Sequence, residues 1–242
     1  MNLIIDIGNT MLKVFLFEGK EINFTRQIET SQKQKVFDVL HQTDIIENGI
    51  VSSVVELEKG FLNQINTFCK RLVFLDEHTK LPLINEYETE STLGKDRIAA
   101  VVGAYTVFPE TSVLVIDAGT ALTFEFITQT GRYLGGNISP GLSMRFKALN
   151  HYTSKLPLLE SANDFPLLGR NTNQAIIAGV QNGIIFEIDN YINELKGKYN
   201  DLKVILTGGD SFFFAHKLKN TIFAEPFLTA IGLNRILQYN VE

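Results

Sequence analysis

Apolar positions in this chain fall into short runs that end in polar turns. Leu3, Ile4 and Ile5 form one run, closed by Asp6, Gly8, Asn9 and Thr10; Leu12 to Phe17 form the next, closed by Glu18, Gly19 and Lys20. This pattern predicts a buried strand, a polar turn and a second strand. It returns at Leu114, Val115 and Ile116, which end in Asp117, Ala118, Gly119 and Thr120 before an outgoing strand from Leu122 to Ile127. Asp117 matches Asp6 and Gly119 matches Gly8 at the same offset of 111 positions. A single aspartate closing a strand is ordinarily a turn residue. Two copies in step point instead to two related α/β domains, expected at 1–110 and 111–242, with a ligand in the cleft between them.

A third strand, Val204 to Leu206, runs into Thr207, Gly208, Gly209 and Asp210, where paired glycines let backbone approach a ligand. Helical spacing puts Ile98, Val101, Val102 and Tyr105 on one face of a helix over 95–108, and Ile177, Val180, Ile184, Ile188 and Leu195 on one face over 171–195. Gly179 and Gly183 inside the second predict close packing of another backbone. Residues 29–41 read as helical, 49–54 and 71–75 as strands. The pairs Gly135, Gly136 and Pro140, Gly141 predict a turn and a helix start, with Pro140 at the first helical position.

Composition narrows the function classes. The 242 residues are 45% hydrophobic and 20% charged with a net charge of −5, and no basic run offers a phosphate-backbone stripe, so nucleic acid is not an expected partner. One cysteine, Cys69, cannot form an internal disulfide, and the four histidines are scattered without zinc-site spacing. No signal peptide and no membrane-spanning run is evident, so a soluble, cytoplasmic protein is expected.

The chemistry expected at these loops is phosphate handling. The Walker pattern and the dinucleotide glycine spacing are both missing. The Asp6 loop offers a substitute: Gly8 admits close backbone approach, Asn9 and Thr10 donate hydrogen bonds, Asp6 can hold a hydrated metal, and Lys13 can reach a phosphate oxygen. Asp117, Gly119, Thr120 and Thr123 repeat the arrangement. Taken singly, each has a plainer role: Asp96 as an N-terminal helix residue, Arg97 as an ion-pair partner, Thr172 as a helix cap, Phe212, Phe213 and Phe214 as core.

Six segments in order, DIGNT at 6–10, GKDR at 94–97, DAGTALTFE at 117–125, GGNISPGLSMRFKAL at 135–149, GRNT at 169–172 and TGGD at 207–210, resemble the motifs of type III pantothenate kinases. That family belongs to the actin, sugar-kinase and heat-shock ATPase superfamily, so the resemblance implies two actin-like (ribonuclease H-like) domains with an ATP cleft between them. It further implies that Asp6, Ile7, Gly8, Asn9, Thr10, Met11, Leu12 and Lys13 form the first ATP phosphate loop, that Thr120 touches ATP, and that Asp117 helps bind a monovalent cation, K+ or NH4+. Asp6 would hold Mg2+ through water, with ATP used as Mg-ATP. Gly94, Lys95, Asp96 and Arg97 would bind pantothenate, with Asp96 as proton acceptor and Arg97 available to the substrate's negative charge; Tyr87 and Thr172 would complete the pocket. A homodimer is also implied.

Two positions depart from the family pattern. A proline is usual between the substrate tyrosine and the GxDR motif, where this chain reads Tyr87, Glu88, Thr89, Glu90; and Glu125 stands where Asp is common. Two other function classes fit the same motifs: a kinase for another small hydroxyl substrate, and a non-catalytic regulatory accessory factor of this fold. Retention of Asp6, Asp96, Asp117 and Thr120 favours an enzyme.

Overall fold

In the computed structural model, which describes residues 1–43 and 46–242, the chain divides into two units, Met1–Val107 with Phe227–Glu242, and Phe108–Pro226. The first unit opens with a hairpin of β1 (Asn2–Ile7) and β2 (Met11–Glu18), continued by β3 (Glu21–Glu29). Then come a 3-10 stretch over Thr30–Lys35, α1 (Val36–Leu40), β4 (Ile46–Ser53), α2 (Lys59–Asn66), β5 (Cys69–Phe74), the two-residue β6 (Ile84–Asn85) and α3 (Lys95–Val107). Its sheet runs in the order β3-β2-β1-β4-β5, antiparallel from β1 through β3 and parallel from β1 to β4 and β5. Leu3, Ile5, Ile7, Leu12 and Val14 bury one sheet face against Phe37, Leu40, Phe61 and Ile65.

The helix expected over 29–41 is shorter than its polar spacing suggested. Glu29 ends a strand, Gln32 leaves helical geometry at φ −114°, and only Val36–Leu40 is α-helical. Those five residues carry the buried Val36, Phe37 and Leu40, whereas the 3-10 stretch before them buries nothing. Packing, not propensity, selects the helical turn.

The second unit repeats the opening with β7 (Val113–Ala118) and β8 (Ala121–Ile127), then adds β9 (Arg132–Pro140), α4 (Leu142–His151), α5 (Thr172–Lys196), β10 (Lys203–Thr207), α6 (Ser211–Ala215) and β11 (Phe223–Ala224). Within it the strand order is β11-β10-β7-β8-β9. Leu114, Ile116, Phe124, Ile184 and Ile188 are among the side chains that join the sheet to α5.

Three glycine and proline expectations change here. Gly135 and Gly136 form no turn; they lie inside β9 at a register shift, where Gly135 takes φ 115° and a side chain on Gly136 would strike the Phe124 backbone. Pro140 ends β9, and Gly141 caps α4. Gly179 has no non-neighbouring atom within 4 Å of where a Cβ would stand, and Gly183 meets only Arg145 at 3.8 Å, so neither marks a close backbone crossing.

That crossing occurs elsewhere. The last helix, α7 (Leu228–Val241), returns to the first unit and packs on α3, where a side chain on Gly103 would strike the Leu228 carbonyl and one on Gly232 the Ala99 carbonyl. Asn234, buried at 4% exposure, accepts from Asn2 Nδ2 at 2.9 Å and donates to the Gly19 carbonyl at 3.0 Å, tying α7 to the first hairpin. The C-terminal residues 227–242, expected with the second domain, therefore belong to the first.

Candidate functional site

Ladder register assembles the first loop. Asp6 on β1 stands opposite Lys13 on β2 and Ser52 on β4, and residues opposite one another in a sheet share a face. The Asp6 carboxyl is pushed up to about 6, first by burial; Lys13 pulls it down, the charge of Asp96 pushes it further up, and Ser52 pulls it down. The Asp96 contribution brings α3's first turn within electrostatic reach of the strand end, joining two motifs far apart in sequence. In the turn itself, the Gly8 N–H donates to the Met11 carbonyl at 2.9 Å. Thr30 fastens it from outside: its N–H donates to the Thr10 carbonyl and its hydroxyl to the Gly8 carbonyl, both at 2.9 Å. Asn9 and Thr10 are left exposed. Sequence reasoning missed Thr30 and Ser52, since a hydroxyl at a strand end carries no signal of its own.

The GKDR segment begins α3. The Arg97 N–H donates to Asp96 Oδ1 at 2.9 Å, fixing the carboxylate, and Gly94 leaves it room, since a Cβ there would lie 2.6 Å from that oxygen. Asp96 remains exposed while Arg97 is buried at 6% exposure. The Arg97 guanidinium lies 5.3 Å from the centre of the Tyr87 ring, and its Nη1 donates to the Tyr87 hydroxyl at 3.4 Å. Tyr87 thus meets the GKDR motif without the usual proline. A 3-10 turn over Glu90–Thr92 makes the bend, with the Thr92 hydroxyl donating to the Thr89 carbonyl at 3.0 Å.

In the second unit Asp117 stands opposite Thr123 on β8 and Thr207 on β10. The Gly119 N–H donates to the Ala121 carbonyl at 3.0 Å, and Thr120 is exposed at the tip. The TGGD segment lies against this turn: Gly208 takes φ 93°, its missing Cβ would strike Asp117 Oδ1 and the Ala118 carbonyl, and the Asp210 N–H donates to that carbonyl at 2.9 Å. Gly141 abuts the same turn, where a side chain would collide with the Gly119 and Thr120 carbonyls. Burial raises the Asp210 carboxyl. Three of the predicted loops therefore meet around Asp117.

Glu125 lies elsewhere, wholly buried beneath β9 and accepting a hydrogen bond from the Tyr133 hydroxyl at 2.5 Å, so its exchange for Asp is a matter of core packing. Thr172 is the first residue of α5 and exposed. Capping falls to Asn171, whose side chain accepts from the Gln174 N–H at 2.9 Å, and the Thr172 hydroxyl is not used for it. Of the three phenylalanines after TGGD, Phe214 is core and Phe212 is 65% exposed. Among the described residues, no group of three or more His, Cys, Asp or Glu is placed to hold a metal ion. A cation at Asp6 or Asp117 would take its other ligands from water, hydroxyls, carbonyls or a bound phosphate.

Residues 2–194 match the sequence profile of a family described as type III pantothenate kinase. A type III pantothenate kinase of Bacteroides fragilis (strain YCH46) is 49% identical over 249 residues, covering 99% of this chain and 98% of the relative. Another, of Cytophaga hutchinsonii, is 43% identical over 243 residues, covering 100% of both. Among solved structures, a Campylobacter jejuni protein assigned to the Baf family of transcriptional activators superposes with a TM-score of 0.67 at 24% identity over 98% of each chain. A Sinorhizobium meliloti protein assigned as a 2-dehydro-3-deoxygalactonokinase gives 0.62 at 12% identity over 99% of each. At such identities the structures speak for the fold alone, which is the actin-like α/β fold of the sugar kinases. The full-length sequence matches go further, and the chain belongs to the type III pantothenate kinase family.

Proposed function

We propose that this protein transfers the γ-phosphoryl group of ATP to the primary hydroxyl of pantothenate, giving 4′-phosphopantothenate and ADP, the first step of coenzyme A synthesis. The observation that carries this proposal is the exposed Asp96 carboxylate, held by the Arg97 N–H, next to the Arg97–Tyr87 pair. Asp96, Arg97 and Tyr87 serve the acceptor, and Asp6 on the first loop serves the phosphate end.

Phosphoryl transfer through a loose transition state gains mainly from alignment and charge neutralisation. Asp96, exposed yet held by the Arg97 N–H, accepts a hydrogen bond from the pantothenate hydroxyl and takes its proton late. The hydroxyl oxygen bonds to the γ-phosphorus as the bond to the β,γ-bridging oxygen breaks, and the electron pair leaves with ADP. Arg97 and Tyr87 meet the pantothenate carboxylate, with the exposed Thr172 hydroxyl as a further donor. The Gly8–Thr10 turn and Lys13 hold phosphate oxygens of the nucleotide, and Thr120 contacts it from the second loop. Mg2+ bound with ATP would neutralise charge building on the phosphates, and the oxygen-rich Asp6 position suits its hydration shell. A monovalent cation, K+ or NH4+, is assigned to Asp117. Homodimerisation in the cytoplasm completes the proposal; the 80% exposure of Leu168 and 67% of Leu167 offers an apolar surface for a second copy.

Asp96→Asn tests the assignment. It should leave thermal stability and nucleotide affinity nearly unchanged while lowering kcat by about 100-fold or more. Full activity in that variant would remove Asp96 from the mechanism.

A further inference from the structure

Ser52 is the one buried side chain among the described residues whose polar atom has no hydrogen-bond partner. It is fully buried at 0% exposure, is the next-to-last residue of β4, and stands in register with Asp6, so both side chains share a sheet face. In that register its hydroxyl neighbours the Asp6 carboxyl, yet it closes no hydrogen bond of ordinary geometry with it or with any other described group. An unsatisfied buried hydroxyl is costly, so one retained beside a functional carboxylate calls for a partner. The second unit has a counterpart: Thr207, 2% exposed at the end of β10, stands in register with Asp117.

We infer that Ser52 is a positioning residue for Asp6, its hydroxyl closing on the carboxylate when a metal-bound nucleotide draws Asp6 into its working orientation. Ser52 itself is too buried to meet the ligand and acts through Asp6. The inference rests on the assignment of the Asp6 loop to Mg-nucleotide.

The test measures Ser52→Ala and Ser52→Cys against wild type by thermal melting, without ligand and across a titration of Mg2+ with a non-hydrolysable ATP analogue. In the absence of ligand the variants should melt at or above the wild-type temperature, because removing an unsatisfied hydroxyl is neutral or stabilising. With analogue, half-saturation should need about 3- to 10-fold more Mg-nucleotide, the loss of a single hydrogen bond made only in the bound state. KM for Mg-ATP should rise alongside, KM for pantothenate should hold, and Ser52→Thr, which keeps the hydroxyl, should recover most of the loss. Variants that melt several degrees lower but bind Mg-nucleotide as wild type does would make Ser52 purely structural and overturn the inference. If wild type shows no Mg-nucleotide shift, the assignment of the loop fails and the inference with it.

Discussion

The two aspartate hairpins share one sequence signature but build different sites. In the first, Ile7 pairs with Leu12 and four residues close the turn; in the second, Ala118 pairs with Leu122 and three residues do. The ungapped sequence match therefore slips by one residue across the turn. Lys13 comes to face Asp6, while Asp117 faces the neutral Thr123. One carboxylate is matched by a fixed cation on the neighbouring strand, and the other has a hydroxyl there. A single residue of turn length thus sets the charge environment of each loop: Lys13 stands across from Asp6, and Thr123 across from Asp117.

The largest expected difference between them comes from Asp6→Asn. Activity should fall by about 100-fold or more, while the variant gains stability at neutral pH. An acid whose folded pKa is raised favours folding while protonated; with an ordinary value of 3.8 and a folded value of about 6, that contribution is complete below the first and lost as pH rises through the second. Asp6→Asn should therefore match wild type near pH 4 and exceed it above pH 6, by up to about 3 kcal/mol, in melts across that range. A constant difference at every pH would mean that Asp6 is not perturbed in the folded chain.

In the second hairpin the corresponding loss is one of space. Gly208→Val places a side chain at φ 93° against Asp117 and the Ala118 carbonyl, and should cost about 3 kcal/mol or more in denaturant unfolding. Thr123→Lys would import the first hairpin's charge pattern; activation by K+ should shrink to less than about 2-fold, and undiminished K+ dependence would break the comparison. Thr30→Val is the smallest change. It removes the hydroxyl that holds the Gly8 carbonyl, and should cost about 1 kcal/mol with a modest rise in KM for ATP.

Much of this architecture was legible because local rules and packing agree. The runs ending at Asp6 and Asp117 are wholly apolar, and both hairpins form as the pattern predicted. The helix over 95–108 was legible for a different reason than the one-sided spacing suggested: α3 is buried from Arg97 to Ala104 on all sides, with α7 on one of them. The return of α7 could not be read, because nothing in a linear pattern says which unit a terminal helix will join. The slip in the turn was hidden too, since a three-residue and a four-residue turn preserve the same Asp and Gly positions. Thr30 and Ser52 carry no motif, Thr30 lying just past β3 and Ser52 being set beside Asp6 by strand register, whereas Tyr87 reaches Arg97 by a Thr89–Thr92 bend that needs no proline.

The central claim is tested most directly by incubating the purified protein with ATP, Mg2+, K+ and pantothenate and determining the product by mass. Stoichiometric ADP and 4′-phosphopantothenate, neither formed without the acceptor and both lost in Asp96→Asn, are the result this account predicts. Folded protein that binds ATP but yields no phosphopantothenate would contradict it.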